Sequence, residues 1–206
     1  MKLEPKRIVK AANKLHRDMV VRWHECEPDN AYEELLGTVC QQHQYNFLLW
    51  HEEDIARSAD VSDARIAMVK RAIDGYNQQR NDWIERIDEA LVDLLVDGGV
   101  KPTDDAKLNT ETPGSALDRL SIMSLRIYHL EEQLQRTDVD QAHTDRINGR
   151  LARCRAQQAD LSQSLTELLT DLTAGRKILK VYRQMKMYND PTMNPYLYGR
   201  GTKQVA

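Results

Sequence analysis

Four consecutive residues, Thr112-Pro113-Gly114-Ser115, open a long amphipathic stretch in a way suited to holding an anion. Threonine caps a helix and proline fits the first helical position. The small residues behind them leave backbone N–H groups accessible at the positive end of the helix dipole. Arg119 follows one turn after Ser115, and Arg80 falls at nearly the same height if successive helices alternate in direction. Thr112, Gly114, Ser115, Arg119 and Arg80 are therefore the candidate anion-binding set, with a phosphate or carboxylate as ligand. The competing reading is an ordinary capping box of Ser115 and Asp118, with Arg119 paired to a nearby acid.

Other polar residues interrupt otherwise apolar helical seams. Gln42, Asn46, Asn77, Arg80, Asn81, Ser124 and Gln158 come to one height when two hairpins are stacked. Buried polar groups cost free energy unless each finds a partner, so such a layer is either a closed hydrogen-bond network or a ligand site. Nearer the hairpin turns, His51 with Asp54 and His129 with Glu132 stand at helical i,i+3 spacing and could each share a cation. The facing helices add only Asp145 to that level, so ion pairs with Lys70 or Arg146 compete with a metal.

Glu33-Glu34 and Glu85 with Asp88 are level in the first hairpin, a loose likeness to the magnesium site of all-helical nucleotide pyrophosphatases. A magnesium-dependent pyrophosphatase is accordingly the alternative enzyme reading, with Mg as its cofactor. No G-x-S-x-G, Walker loop or G-x-G-x-x-G occurs, and Cys26, Cys40 and Cys154 have neither Cys-x-x-Cys spacing nor an activating neighbour. Nucleophilic catalysis, a disulfide framework and a cysteine zinc site are not expected.

Helices must position all of these residues. Pro5 starts a first helix in which Ile8, Ala11, Leu15, Met19 and Trp23 recur every three or four residues, ended by the turn Glu27-Pro28-Asp29-Asn30. Further helices are expected over about 31–57, 62–96, 114–136 and 141–188, the last bent or interrupted at Gly175, with a loop from Asp97-Gly98-Gly99 to about Thr112. No strand-like alternation competes with them.

Shifting the chain by 78 residues superposes 45–95 on 123–173 with eleven identities, among them His51 on His129 and Glu53 on Glu131. The seam Ile147, Leu151, Cys154, Gln158, Leu161, Leu165, Leu168, Leu172 falls on Val69, Ile73, Tyr76, Arg80, Trp83, Ile87, Ala90, Leu94. The expected fold is thus all-α: a four-helix bundle of two similar hairpins, 31–97 and 113–175, with an extra N-terminal helix. One domain spans 1–188, followed by an irregular basic tail over 189–206.

At 206 residues, 41% hydrophobic and 30% charged, the chain can bury a substantial core. It shows neither a membrane-spanning run nor the apolar core of a secretion signal, so a cytoplasmic location is the expectation. The net charge of −3 argues against nucleic acid as a partner. Basic residues nevertheless crowd the C-terminal end, interleaved with Tyr182, Tyr188, Tyr196 and Tyr198, which suits a strap laid against the acidic body or a neighbouring subunit. A homo-oligomer is left open.

Four segments together carry a resemblance: Asn46-Phe47-Leu48-Leu49-Trp50-His51-Glu52-Glu53-Asp54, Asn77-Gln78-Gln79-Arg80-Asn81-Asp82, Leu108 to His129, and Lys186-Met187-Tyr188-Asn189-Asp190-Pro191 with Asn194-Pro195. The chain resembles, over most of its length, a bacterial all-helical family catalogued as a domain of unknown function. That resemblance implies no reaction. It implies genomic company with glycosyltransferases of lipopolysaccharide or other surface-polysaccharide assembly, and hence a glycosyltransferase as a partner. The resulting expectation is a helical protein that binds an anionic small molecule, a phosphosugar or nucleotide sugar, or serves as an accessory or a purely structural adaptor to an enzyme that uses one.

Overall fold

The computed structural model describes residues 3–185, 187 and 190–199. It is all-α, with helices α1 (Pro5–Glu25), α2 (Glu34–Arg57), α3 (Asp63–Asp97), α4 (Pro113–Leu134), α5 (Gln141–Thr173) and a single turn α6 (Pro195–Tyr198). Local chemistry explains the helix starts. Pro5 and Pro113 occupy first-turn positions, while the side chains of Ser62, Thr112 and Asp140 accept hydrogen bonds from the first-turn N–H groups of Arg65, Ser115 and His143.

Helix α5 ends fifteen residues short of the expected Tyr188. Gly175 adopts φ of 70°, its N–H reaches Leu172 O, and the Arg176 N–H reaches Asp171 O, the backbone closure that stops a helix. A Cβ at Gly175 would lie 2.3 Å from Lys101 O, so the glycine also admits the loop after α3. There the chain forms two short parallel strands absent from the sequence expectation, β1 (Lys107–Leu108) and β2 (Lys177–Ile178).

Packing explains why α4 is the most buried helix. It lies against α1, α2, α3 and α5, whereas α3 rests mainly on α2 and α4, and α5 on α4 and α1. Pro113, Gly114, Ala116, Leu117, Asp118, Leu120, Ser121, Ser124 and Leu125 are all buried, so the first half of α4 shows almost no solvent face. The main core draws on five helices, including Leu15, Trp23, Phe47, Ile87, Leu117, Leu120, Leu165 and Leu169. A smaller cluster of Leu49, Val69 and Ile73 holds the far half of the α2–α3 hairpin.

Helix directions follow from which residues meet. His43 contacts Ser121 and His51 contacts His129, each pair 78 positions apart, so α2 and α4 run parallel and in register. His16 meets His43 and His24 meets His51, each 27 apart, so α1 runs parallel to α2 as well. The segment 26–33 makes this possible by returning along α1. Asp29 pairs with Arg22, the Trp23 indole donates to the Asp29 carbonyl, and Gln44 donates to Pro28 O. Helix α3 runs antiparallel to α4, with Arg80 beside Asp118 and Asp88 beside Gly114. The loop between them therefore joins neighbouring helix ends without crossing the bundle.

Candidate functional site

The start of α4 meets an anion, and it comes from the chain itself. Asp88 of α3, only 2% exposed, places Oδ1 2.7 Å from the Gly114 N–H. Burial pushes its carboxyl up to about 6, against the hydrogen bonds from Thr112 and Gly114 that favour the ionised form. No side chain fits at Gly114, where a Cβ would stand 2.5 Å from Ile84 O and 2.9 Å from Asp88 Oδ1. Ser115 is occupied locally, its N–H and hydroxyl both beside Thr112 Oγ1.

Arg80 arrives at the height expected from sequence but meets Asp118 rather than standing beside Arg119. Its Nε donates to Asp118 Oδ1 at 2.7 Å and Nη2 pairs with Oδ2. Adjacent residues on a helix point about 100° apart, which follows from 3.6 residues per turn. Arg119 consequently emerges on the α5 side, 60% exposed, with Glu111 at 3.8 Å as its ion-pair partner. The two arginines thus stand on different faces of α4.

Asp118 is the hub of the buried polar network. It also accepts from Gln42 Nε2 at 2.6 Å and Asn46 Nδ2 at 2.9 Å, and Asn46 Nδ2 donates its other hydrogen to Ser121 Oγ at 2.8 Å. His43 continues the chain, with Nδ1 2.7 Å from Ser121 Oγ and Nε2 3.0 Å from the His16 carbonyl. A carbonyl only accepts, so Nε2 carries the proton and Nδ1 receives the serine hydroxyl. Burial lowers the His43 pKa to about 3, which keeps the ring neutral in this arrangement.

The remaining members of the expected polar layer are dispersed. Asn77 lines a cleft of about 370 Å³ with Trp50, Asp54, Arg57 and Arg80 between α2, α3 and α4. Asn81 accepts from Gln184 of the C-terminal segment, Ser124 is buried in α4, and Gln158 lies half-buried on α5. The carboxylates of the magnesium reading are likewise engaged or apart. Asp88 caps α4, Glu85 binds Arg183 and the Gln184 N–H, and Glu33 and Glu34 are exposed at the start of α2.

Arg183 also pairs with Glu89, so the segment after β2 lies across α3 as the strap reading expects. The tail residues Lys186, Tyr188, Asn189, Arg200 and Lys203 lie outside the described residues.

Two polar levels, eight residues apart, now stand out along the three parallel helices. One is His16, His43 and Ser121. The other is His24, His51 and His129, which offer ring nitrogens within 4.8 Å of one another. The second level includes both histidines singled out by sequence, but with a different set of companions. Asp54 is exposed and faces the cleft, while Glu132 stands behind His129, its Oε2 2.6 Å from Nδ1. His24, the added member, has Nδ1 2.7 Å from Val20 O. A signal for it was present in the sequence: His16 and His24, like His43 and His51, are eight apart, a spacing that keeps both on one helical face.

Arg119 lines a groove of about 590 Å³ between α4 and α5 with Ile122, Met123, Arg126, Gln157, Asp160, Leu161 and Ser164. Arg126 has no ion-pair partner among the described residues. Also among the described residues, no helix is long and apolar enough to cross a membrane.

No curated protein and no solved structure matches the chain. The family described as protein of unknown function DUF4254 matches residues 36–181, from the first turn of α2 to just past β2. With well over half of its length matched, including both hairpins and the Asp118 network, the chain belongs to the DUF4254 family.

Proposed function

We propose that the protein binds an anionic small molecule, a phosphosugar or nucleotide sugar, in the groove between α4 and α5. One observation carries this reading: Arg119 and Arg126, two turns apart on one face of α4, line that groove and neither is held in a close ion pair. An exposed pair at 3.8 Å, such as Arg119 with Glu111, contributes little to stability, so the guanidinium is free to turn toward a ligand. Guanidinium forks match phosphate oxygens in geometry as well as charge. Gln157 and Ser164 supply hydrogen-bonding groups on the opposite wall for hydroxyls, and Asp160 can accept from them. A role as accessory to a glycosyltransferase that consumes such a donor extends this reading.

A thermal-shift panel of sugar phosphates and nucleotide sugars, followed by calorimetry on the best ligand, tests it. Stabilisation of the wild type is expected to fall at least tenfold in apparent affinity in Arg119→Ala and in Arg126→Ala, since a charge-assisted hydrogen bond is worth about 1.5–3 kcal/mol. Both side chains are at the surface, so the fold tolerates their loss. No stabilisation by any member of the panel, or stabilisation of both variants equal to that of the wild type, would exclude the groove.

A further inference from the structure

We propose that His24, His51 and His129 form a binding site for one divalent transition-metal ion of the zinc class, held through their Nε2 atoms. This inference is independent of the groove between α4 and α5.

The reasoning starts from protons. His24 Nδ1 faces the Val20 carbonyl, which only accepts, and His129 Nδ1 faces the Glu132 carboxylate. Both Nδ1 atoms therefore carry hydrogen, and each neutral ring keeps its free lone pair on Nε2. The Nε2 atoms of His24, His51 and His129 are all buried without a hydrogen-bond partner. A buried polar atom without a partner loses its hydration, and here three rings, each with such a nitrogen, converge from three helices.

One cation shared by three neutral imidazoles satisfies all three lone pairs at once.

Donor chemistry selects the ion. Imidazole nitrogen suits zinc, nickel, copper and cobalt, whereas magnesium and calcium take oxygen ligands. Tetrahedral zinc with bonds of 2.0–2.1 Å sets its ligand nitrogens about 3.4 Å apart, within a small ring rotation of the separations of up to 4.8 Å here. The outer contacts have the form that such sites use. Glu132 behind His129 makes a carboxylate–histidine pair, and Val20 O orients His24. Trp50 stacks on His129 at 4.9 Å and 9°, and Tyr128 on His24 at 4.3 Å, holding both rings in plane. Three protein ligands leave a fourth tetrahedral position for water or an outside donor.

The test uses the full chain without a histidine tag, stripped with a chelator and titrated with Zn²⁺ against a chromogenic competitor. A parallel titration with Co²⁺ reads the visible spectrum. One equivalent bound, with a tetrahedral Co²⁺ spectrum, is expected. His24→Gln, His51→Gln and His129→Gln are each expected to weaken binding at least 100-fold while keeping wild-type helicity. Glu132→Gln alters an exposed side chain and is expected to weaken binding about 10- to 100-fold. It keeps the test decisive if a histidine variant misfolds, because equal affinity there would overturn the site. Failure to bind a stoichiometric ion, binding unchanged in the three histidine variants, or displacement of Zn²⁺ by millimolar Mg²⁺ would also overturn it.

Discussion

Replacing Asp118 by alanine puts the buried network under the most direct test. The substitution leaves Arg80 without its counter-ion and removes the acceptor for Gln42 and one of the two acceptors of Asn46. Breaking one side of a buried ion pair costs about 3–5 kcal/mol. The Arg80 side chain is 26% exposed and recovers some hydration, which favours the low end of that range. Gln42 acts in the other direction. It is wholly buried and its Oε1 already lacks a partner, so losing Asp118 strands the entire amide at a further cost of roughly 1 kcal/mol or more. The expected loss is about 4 kcal/mol, a large part of the 5–15 kcal/mol typical of a folded domain. Urea unfolding followed by circular dichroism measures it, with an unchanged m-value as the check that only stability moved. Arg80→Met alone leaves Asp118 with two neutral amide donors and is expected to cost less, about 2 kcal/mol. A cycle completed by the double variant is expected to show 1–3 kcal/mol of coupling. A loss below about 1 kcal/mol in Asp118→Ala, or additivity within about 0.5 kcal/mol, would refute the assignment of Asp118 as hub.

Acid is expected to destabilise the protein between pH 6.5 and about 3. The folded-state pKa of His43 is depressed to about 3 and that of His16 lies well below its ordinary value, so the unfolded chain binds more protons throughout that window. At pH 5 His43 alone accounts for about 2 kcal/mol, measured as a drop in urea midpoint from pH 7; a flat profile would refute it. Asp88 works oppositely, since its folded pKa of about 6 means that stability rises as pH falls toward 3.8. Asp88→Asn should therefore steepen the acid loss at pH 5 by about 1.4 kcal/mol. Gly114→Ala drives a methyl against Ile84 O and should cost about 2 kcal/mol or more, whereas Gly149→Ala, with nothing within 4 Å in the interior of α5, should stabilise by about 0.5–1 kcal/mol. Thermal midpoints of the two glycine variants shifting in the same direction would contradict the packing described.

The helices and their caps were legible in the sequence because their causes are local: Pro5, Thr112-Pro113 and Asp140 act within a turn of themselves. The height at which Arg80 meets α4 was also legible, because antiparallel helices tie it to residue number. Which neighbour it meets was not. Asp118 and Arg119 differ by one position but by about 100°, between a quarter and a third of a turn, and the choice depends on how α4 is rotated by four packing partners. The sequence offers Asp88 only as a magnesium ligand of the alternative enzyme reading, and its actual partner, the Gly114 N–H, is backbone with no side-chain signature. His24 was missed because its direction relative to α2 is set by the return of segment 26–33, and periodicity within α1 carries no trace of that.

That return segment bears on the order of folding. The α2–α3 and α4–α5 pairs are each joined by chain neighbours and can form through contacts close in sequence, which are fast to close. Helix α1 packs on α2 but gains most of its burial from α4 and α5, across more than a hundred residues, as in Asn13 to Ser162. It also requires 26–33 to lie extended before Trp23 and His16 find their places against α2. Docking of α1 is therefore expected late, after the two hairpins have met through α4. Until then the second-level histidines on α2 and α4 face water at the seam that α1 will close.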